Sequence, residues 1–167
     1  MSNDHETYLG NPLLKGAYVK QEFTKEQLEE YIKCSEDPIY FIETYIKVVT
    51  IDEGLMPFRL YDFQKDIARS VFDNRFTICK IPRQSGKTAT LVACILHMVL
   101  FNPTYKAAIL ANKLKTATEI MDRFKVAYEN LPKWLQQGIV EWNKTSITLE
   151  NGSKVICSST SSSAVRG

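Results

Sequence analysis

The residues best suited to chemistry in this chain are Gly86-Lys87-Thr88, with Pro82-Arg83-Gln84-Ser85 immediately before them. A glycine, a lysine and a hydroxyl in a row, between the apolar run Arg75 to Ile81 and the longer one Thr88 to Phe101, are the parts of a phosphate-binding P-loop. Backbone N–H groups of the bend, those of Gln84, Ser85 and Gly86 among them, would point at a polyphosphate, where the dipole of the following helix favours negative charge. The Lys87 ammonium would lie against the β and γ phosphates of ATP, and the Thr88 hydroxyl would ligate Mg²⁺. One position departs from the general pattern G-x-x-x-x-G-K-[ST], which has glycine where this chain has Ile81. The plain alternative is a strand, a turn and a helix, with a capping glycine and a solvated lysine.

Two further groups could serve such a loop. Gln64 stands upstream of Lys87 on a segment, Tyr61-Asp62-Phe63-Gln64-Lys65, that starts a helix carrying Phe63, Ile67, Val71 and Phe72 near one face. A glutamine amide both donates and accepts, and several helicase-like ATPases use one in this place to hold the adenine edge. The run Val48-Val49-Thr50-Ile51-Asp52-Glu53 looks like an apolar strand ending in metal-binding and catalytic carboxylates. In P-loop ATPases that strand follows the loop rather than preceding it, and Gly54 marks a turn. Asp52 and Glu53 are therefore expected to be solvated turn residues.

Positioning these groups falls to a chain of alternating elements. Residues 1–21 are polar and irregular and read as a loosely packed tail. Thr24 and Gln27 form a capping-box pair for a helix to about Lys33, with Phe23 and Leu28 placed as a staple. A second helix begins at Asp37-Pro38 with Ile39, Ile42, Tyr45 and Ile46 at helical spacing, completing a helical lead-in over 22–60. Beyond it, Arg75 to Ile81 and Lys106 to Ala111 read as strands, Thr88 to Phe101 and Lys115 to Leu131 as helices. This alternation predicts an α/β domain over 61–167, a parallel sheet covered on both faces by helices. Ile139 to Trp142 reads as a short strand, and Asn151-Gly152 as the two-residue turn of a hairpin that pairs Ile147 with Ile156 and Thr148 with Val155. The serine-rich run after Ser158 is a linker or a loop beside the phosphates, with Arg166 turned inward.

A length of 167 residues suits one domain with a real core, and 44% hydrophobic with 24% charged residues is ordinary for a soluble globular protein. The net charge of +2 is too small to argue for nucleic acid, and no basic stripe with aromatic partners is present. No signal peptide or membrane span is read. Cys34, Cys79, Cys94 and Cys157 are scattered without a C-x-x-C pair, as expected of reduced cytosolic thiols and not of a zinc site.

Several of these motifs, in order, resemble the large terminase subunit of T-even-type tailed bacteriophages. They are Asp62-Phe63-Gln64, Pro82-Arg83-Gln84-Ser85-Gly86-Lys87-Thr88, Ile109-Leu110-Ala111-Asn112-Lys113, Gly138-Ile139-Val140-Glu141-Trp142-Asn143 and Ala164-Val165-Arg166-Gly167. The Arg-Gln-x-Gly-Lys-Thr form without the first glycine is usual in that family. The resemblance implies an ATP-driven motor with a RecA/helicase-like P-loop fold, which threads double-stranded viral DNA into a capsid through a portal. It implies work in the host cytoplasm beside the portal protein and a small terminase subunit. Carried over to this chain, Lys87 and Thr88 bind phosphate and Mg²⁺, Gln64 contacts adenine, and Arg83 stabilises charge on the γ-phosphoryl in the transition state. In the family a strand with the Walker B aspartate and catalytic glutamate follows the Ala-Val-Arg-Gly segment, and a nuclease domain comes later; this sequence stops at Gly167. The expectation from that ending is a partial ATPase domain, incomplete at its C-terminal end. It would bind ATP with little hydrolysis, show an exposed sheet edge, and depend on a separate chain for the remainder. Two other readings stay open: another helicase-like P-loop ATPase, or a non-catalytic module that binds terminase or portal.

Overall fold

A computed structural model describes residues 6–50 and 52–160. The segment Ala164–Gly167, and with it the inward-turned Arg166, lies outside the described residues.

The chain opens with a small antiparallel pair, β1 (Thr7–Tyr8) and β2 (Asn11–Lys15), where the sequence pattern predicted an irregular tail. Leu14 is buried. The Lys15 N–H donates to Gln136 Oε1 at 3.0 Å, and the Gln136 amide donates back to Leu13 O at 3.0 Å. The partner lies 121 residues downstream, so nothing in the local pattern announces it.

Helix α1 (Lys25–Glu36) begins at the expected capping box, with Thr24 and Gln27 each accepting from the other's backbone N–H. Asp37 then closes one helix and opens the next. Its N–H donates to Lys33 O at 3.0 Å, while its carboxylate accepts from Tyr40 N at 2.9 Å at the start of α2 (Pro38–Tyr45). A hairpin follows, β3 (Lys47–Thr50) and β4 (Gly54–Pro57), with Gly54 at φ +73°. Next come α3 (Asp62–Asp73), α4 (Lys87–Phe101) and α5 (Leu114–Glu129). Helix α4 is apolar on nearly every face and is the core element: Val92, Ala93, Leu96, Val99 and Leu100 are all buried, with α2, α3 and α5 packed around it. Among the described residues no helix is long and apolar enough to cross a membrane.

The main sheet contains β5 (Lys106–Ala111), β6 (Ile139–Trp142), β7 (Ser146–Leu149) and β8 (Lys154–Ser159), in the order β5-β8-β7-β6. Only β5 and β8 run parallel, so this is a mixed sheet and not the parallel one predicted. Short turns join β6 to β7 and β7 to β8, and a short turn can only connect antiparallel neighbours.

The predicted strand Arg75 to Ile81 is not one. The segment has no assigned regular structure yet keeps a strand's alternation of burial: Thr77, Cys79 and Ile81 are half-buried, while Phe76, Ile78 and Lys80 are exposed. It has no ladder partner among the described residues, and Ile78 is 96% exposed. An apolar run becomes a strand only when another strand pairs with it.

The β7–β8 register also differs by one residue from the Asn151-Gly152 expectation. Ile147 faces Val155 and Thr148 faces Lys154, so Val155 joins the core and Ile156 does not. The turn has three residues instead of two. Leu149 N donates to Ser153 O at 2.9 Å, Gly152 N donates to Leu149 O at 3.0 Å, and Gly152 takes the left-handed position at φ +82°. Buried Ser153 explains the choice, because its hydroxyl bonds Asn102 O at 2.8 Å and accepts from Tyr105 N at 3.0 Å.

Candidate phosphate-binding site

The loop between residues 75–81 and α4 turns at Arg83 and Gln84 and passes through two left-handed residues, Gln84 at φ +61° and Gly86 at φ +75°. Left-handed geometry suits glycine, and for Gln84 it is a local strain that the loop sustains. Ser85 Oγ donates to Pro82 O at 2.9 Å and closes the bend. Helix α4 starts at once after Gly86, which has no side chain to cap it. The first-turn N–H groups are thus left without the side-chain acceptor that most helix starts supply.

Lys87 sits in this first turn with its ammonium folded back over the loop, 3.3 Å from Ile81 O and 3.2 Å from Pro82 O. Neither contact is to a carboxylate. The Thr88 side chain is half-buried, and its hydroxyl has no hydrogen-bond partner among the described residues. Arg83 is exposed at the turn and has no ion pair among them. A cation held only by carbonyls, a hydroxyl without a partner and an uncapped helix start fit a bound polyphosphate and its Mg²⁺.

Gln64 is brought to the loop from below. It lies in the first turn of α3 and is 2% exposed. Its Oε1 accepts from Tyr61 N at 2.9 Å and its Nε2 donates to Ser85 O at 3.1 Å. A Cβ at Gly86 would collide with that nitrogen. The Tyr61 and Phe63 rings, both exposed, stack beside it at 5.9 Å and 7°.

Asp52 and Glu53 are exposed on the β3–β4 turn, where Glu53 N donates to Thr50 Oγ1 at 3.2 Å. No cluster of three or more His, Cys, Asp or Glu side chains suited to a metal is present among the described residues. Farther along α4, burial pushes the Cys94 thiol up to about 12 and holds the His97 imidazole below its ordinary 6.5.

Sequence reasoning missed a cavity of about 610 Å³ that opens beside the loop. Gln84 and Gly86 form part of its wall, with Ile46 and Val48 from the hairpin side, Val92 from α4 and Asp122 from α5. These residues come from four separated stretches, and no spacing in the chain would have grouped them.

Residues 78–167 match the sequence model of the family described as terminase large subunit, T4likevirus-type, N-terminal.

Proposed function

This chain belongs to the T4-like terminase large-subunit family, in its N-terminal region, and from that premise we propose that its 83–88 loop binds the triphosphate of ATP for a motor that packages double-stranded viral DNA. The observation that carries this reading is the Lys87 ammonium, resting on the Ile81 and Pro82 carbonyls at an uncapped helix start behind left-handed Gly86. Backbone N–H groups from Gln84 to Lys87 would surround the phosphate oxygens, and Lys87 would exchange its carbonyl contacts for charge-assisted bonds to β and γ oxygens. The Thr88 hydroxyl would ligate Mg²⁺, which supplies charge neutralisation between the β and γ phosphates when bound. Arg83 is exposed at the turn of the loop, and its guanidinium would stabilise the transition-state charge on a γ-phosphoryl group.

The remaining roles belong to the family's work and are proposed for this chain with it. The partners are the duplex being packaged, a portal protein and a small terminase subunit. The setting is the host cytoplasm.

Ligand linkage tests the binding directly. Mg²⁺ and ATP present at a hundred times the dissociation constant should stabilise the fold by about 2.7 kcal/mol. The expected result is a rise in Tm with Mg·ATP, absent with Mg·adenosine. Equal melting curves without ligand, with Mg·adenosine and with Mg·ATP would refute the assignment.

A further inference from the structure

The geometry points to Glu43, on α2, as a positioning residue for the nucleotide: it holds the start of α3 in place beside the 83–86 loop, an inference that rests on the triphosphate reading of residues 83–88. One oxygen of the Glu43 carboxylate, Oε1, accepts from the Leu60 N–H at 3.2 Å and lies 3.2 Å from the Lys65 ammonium. Those two partners bracket Tyr61 to Gln64, the N-cap and first turn of α3. An ionised carboxylate suits the task, because it can accept from an N–H and an ammonium at once.

Helix α2 is a firm base for this hold. Phe41 and Ile42, next to Glu43, are fully buried, and α2 packs against α4, the helix that begins after the loop. The link into α3 is laid along the end of α2: the Phe58 N–H donates to Ile46 O at 2.9 Å, and two residues on Glu43 takes the Leu60 N–H. Phe58 and Leu60 are both buried, so a lost partner for Leu60 N would not be replaced by bulk water. Across the bracketed turn, Gln64 Nε2 donates to Ser85 O at 3.1 Å, which joins the turn to the loop. Beyond its bonds to Tyr61 N and Ser85 O, the Gln64 amide keeps one N–H and one lone pair, and the Tyr61 and Phe63 rings stand exposed beside it. The turn therefore offers polar and aromatic contacts next to the loop. Glu43 sets their place in advance, which reduces the ordering that a nucleotide must impose on binding.

The test compares the whole chain with Glu43→Ala and Glu43→Gln by titration with Mg·ATP, at a temperature where circular dichroism shows each protein folded. Glu43→Ala is expected to bind about tenfold more weakly. Glu43→Gln keeps an acceptor for Leu60 N and is expected to recover most of that loss. In the ligand-free proteins the NMR signals of the Gln64 side-chain amide should shift in Glu43→Ala and stay near their parent positions in Glu43→Gln. A carboxylate that only stabilised the fold would lower Tm and leave the affinity of the folded chain as it was. Binding by Glu43→Ala within about twofold of the parent therefore overturns the inference, as do unmoved Gln64 signals. Should the parent chain not bind Mg·ATP, the triphosphate reading fails, while the Gln64 signals still decide whether Glu43 sets the turn. If Glu43→Ala does not fold, Lys65→Met removes the ammonium, leaves the Leu60 N–H bonded, and is read by the same two measurements with the same direction expected.

Discussion

The Asn151 side-chain amide donates to Val99 O at 2.8 Å, so the tip of the β7–β8 hairpin finishes the last turn of the helix that begins after the 83–86 loop. Its Oδ1 accepts from Ser153 N at 2.9 Å, and its backbone oxygen accepts from Thr104 N at 3.0 Å. Asn102 and Gln137 meet the neighbouring carbonyls, Met98 O at 2.9 Å and Leu100 O at 3.1 Å. Removing one such donor leaves a half-buried carbonyl unsatisfied, so Asn151→Ala should cost about 1–3 kcal/mol. Urea unfolding would measure it, and an unchanged midpoint would show that water replaces the amide without loss.

Gly86→Ala should be harmful for two reasons that can be separated. The left-handed backbone at φ +75° penalises any side chain, and the new Cβ meets Gln64 Nε2. A loss of about 1–3 kcal/mol is expected. The double variant Gly86→Ala with Gln64→Ala removes the collision and leaves the backbone penalty, so it should recover part of the loss. A double variant less stable than the sum of the two single effects would contradict that division.

Acid should destabilise the fold through His97. Its ring packs among Phe41, Phe72 and Phe101, with Nε2 donating to Cys34 O at 2.9 Å and Nδ1 buried without a partner among the described residues. Burial lowers its pKa below 6.5, against the opposing pull of the Cys34 and Ser35 backbone and the Asp37 charge. A depressed pKa means that the unfolded chain takes up the proton first. The contribution of His97 is therefore present above pH 6.5 and is lost as pH falls toward the folded value. His97→Phe should reduce the slope of unfolding free energy against pH in that window; an unaltered slope would place the acid sensitivity elsewhere.

Burial pushes both the Cys34 and Cys94 thiols up to about 12, so neither supplies thiolate at neutral pH in the folded chain. Both should resist iodoacetamide at pH 8 until denaturant is added. Mass spectrometry of the alkylated peptides would show this, and rapid native labelling of Cys94 would mean that α4 opens readily.

What the sequence made legible was mostly local. Thr24 with Gln27 and Asp37 with Pro38 marked helix starts because a cap bonds its own next turn. The ends of β5 and β6 were readable from apolar runs bounded by polar residues. Pairing was less legible, since it depends on residues far away. The β7–β8 register is set by Ser153 reaching Asn102 and Tyr105, and the N-terminal pair by Gln136. Within the site, the Gly86-Lys87-Thr88 run named its own position, whereas the bond from Gln64 to Ser85 crosses 21 residues and has no local mark. Gln64 was prominent in the sequence as an amide able to meet a base; its burial became visible only with α3 folded beneath the loop.

Calorimetric titration of the chain with Mg·ATP, alongside Lys87→Ala, tests the central claim most directly. Among the described residues Lys87 meets only backbone carbonyls, so its removal should leave the fold intact. The account predicts saturable one-site binding by the parent chain and at least about tenfold weaker binding by the variant, the value of one charge-assisted hydrogen bond. Equal binding by the two proteins, or none by a folded parent chain, would contradict it.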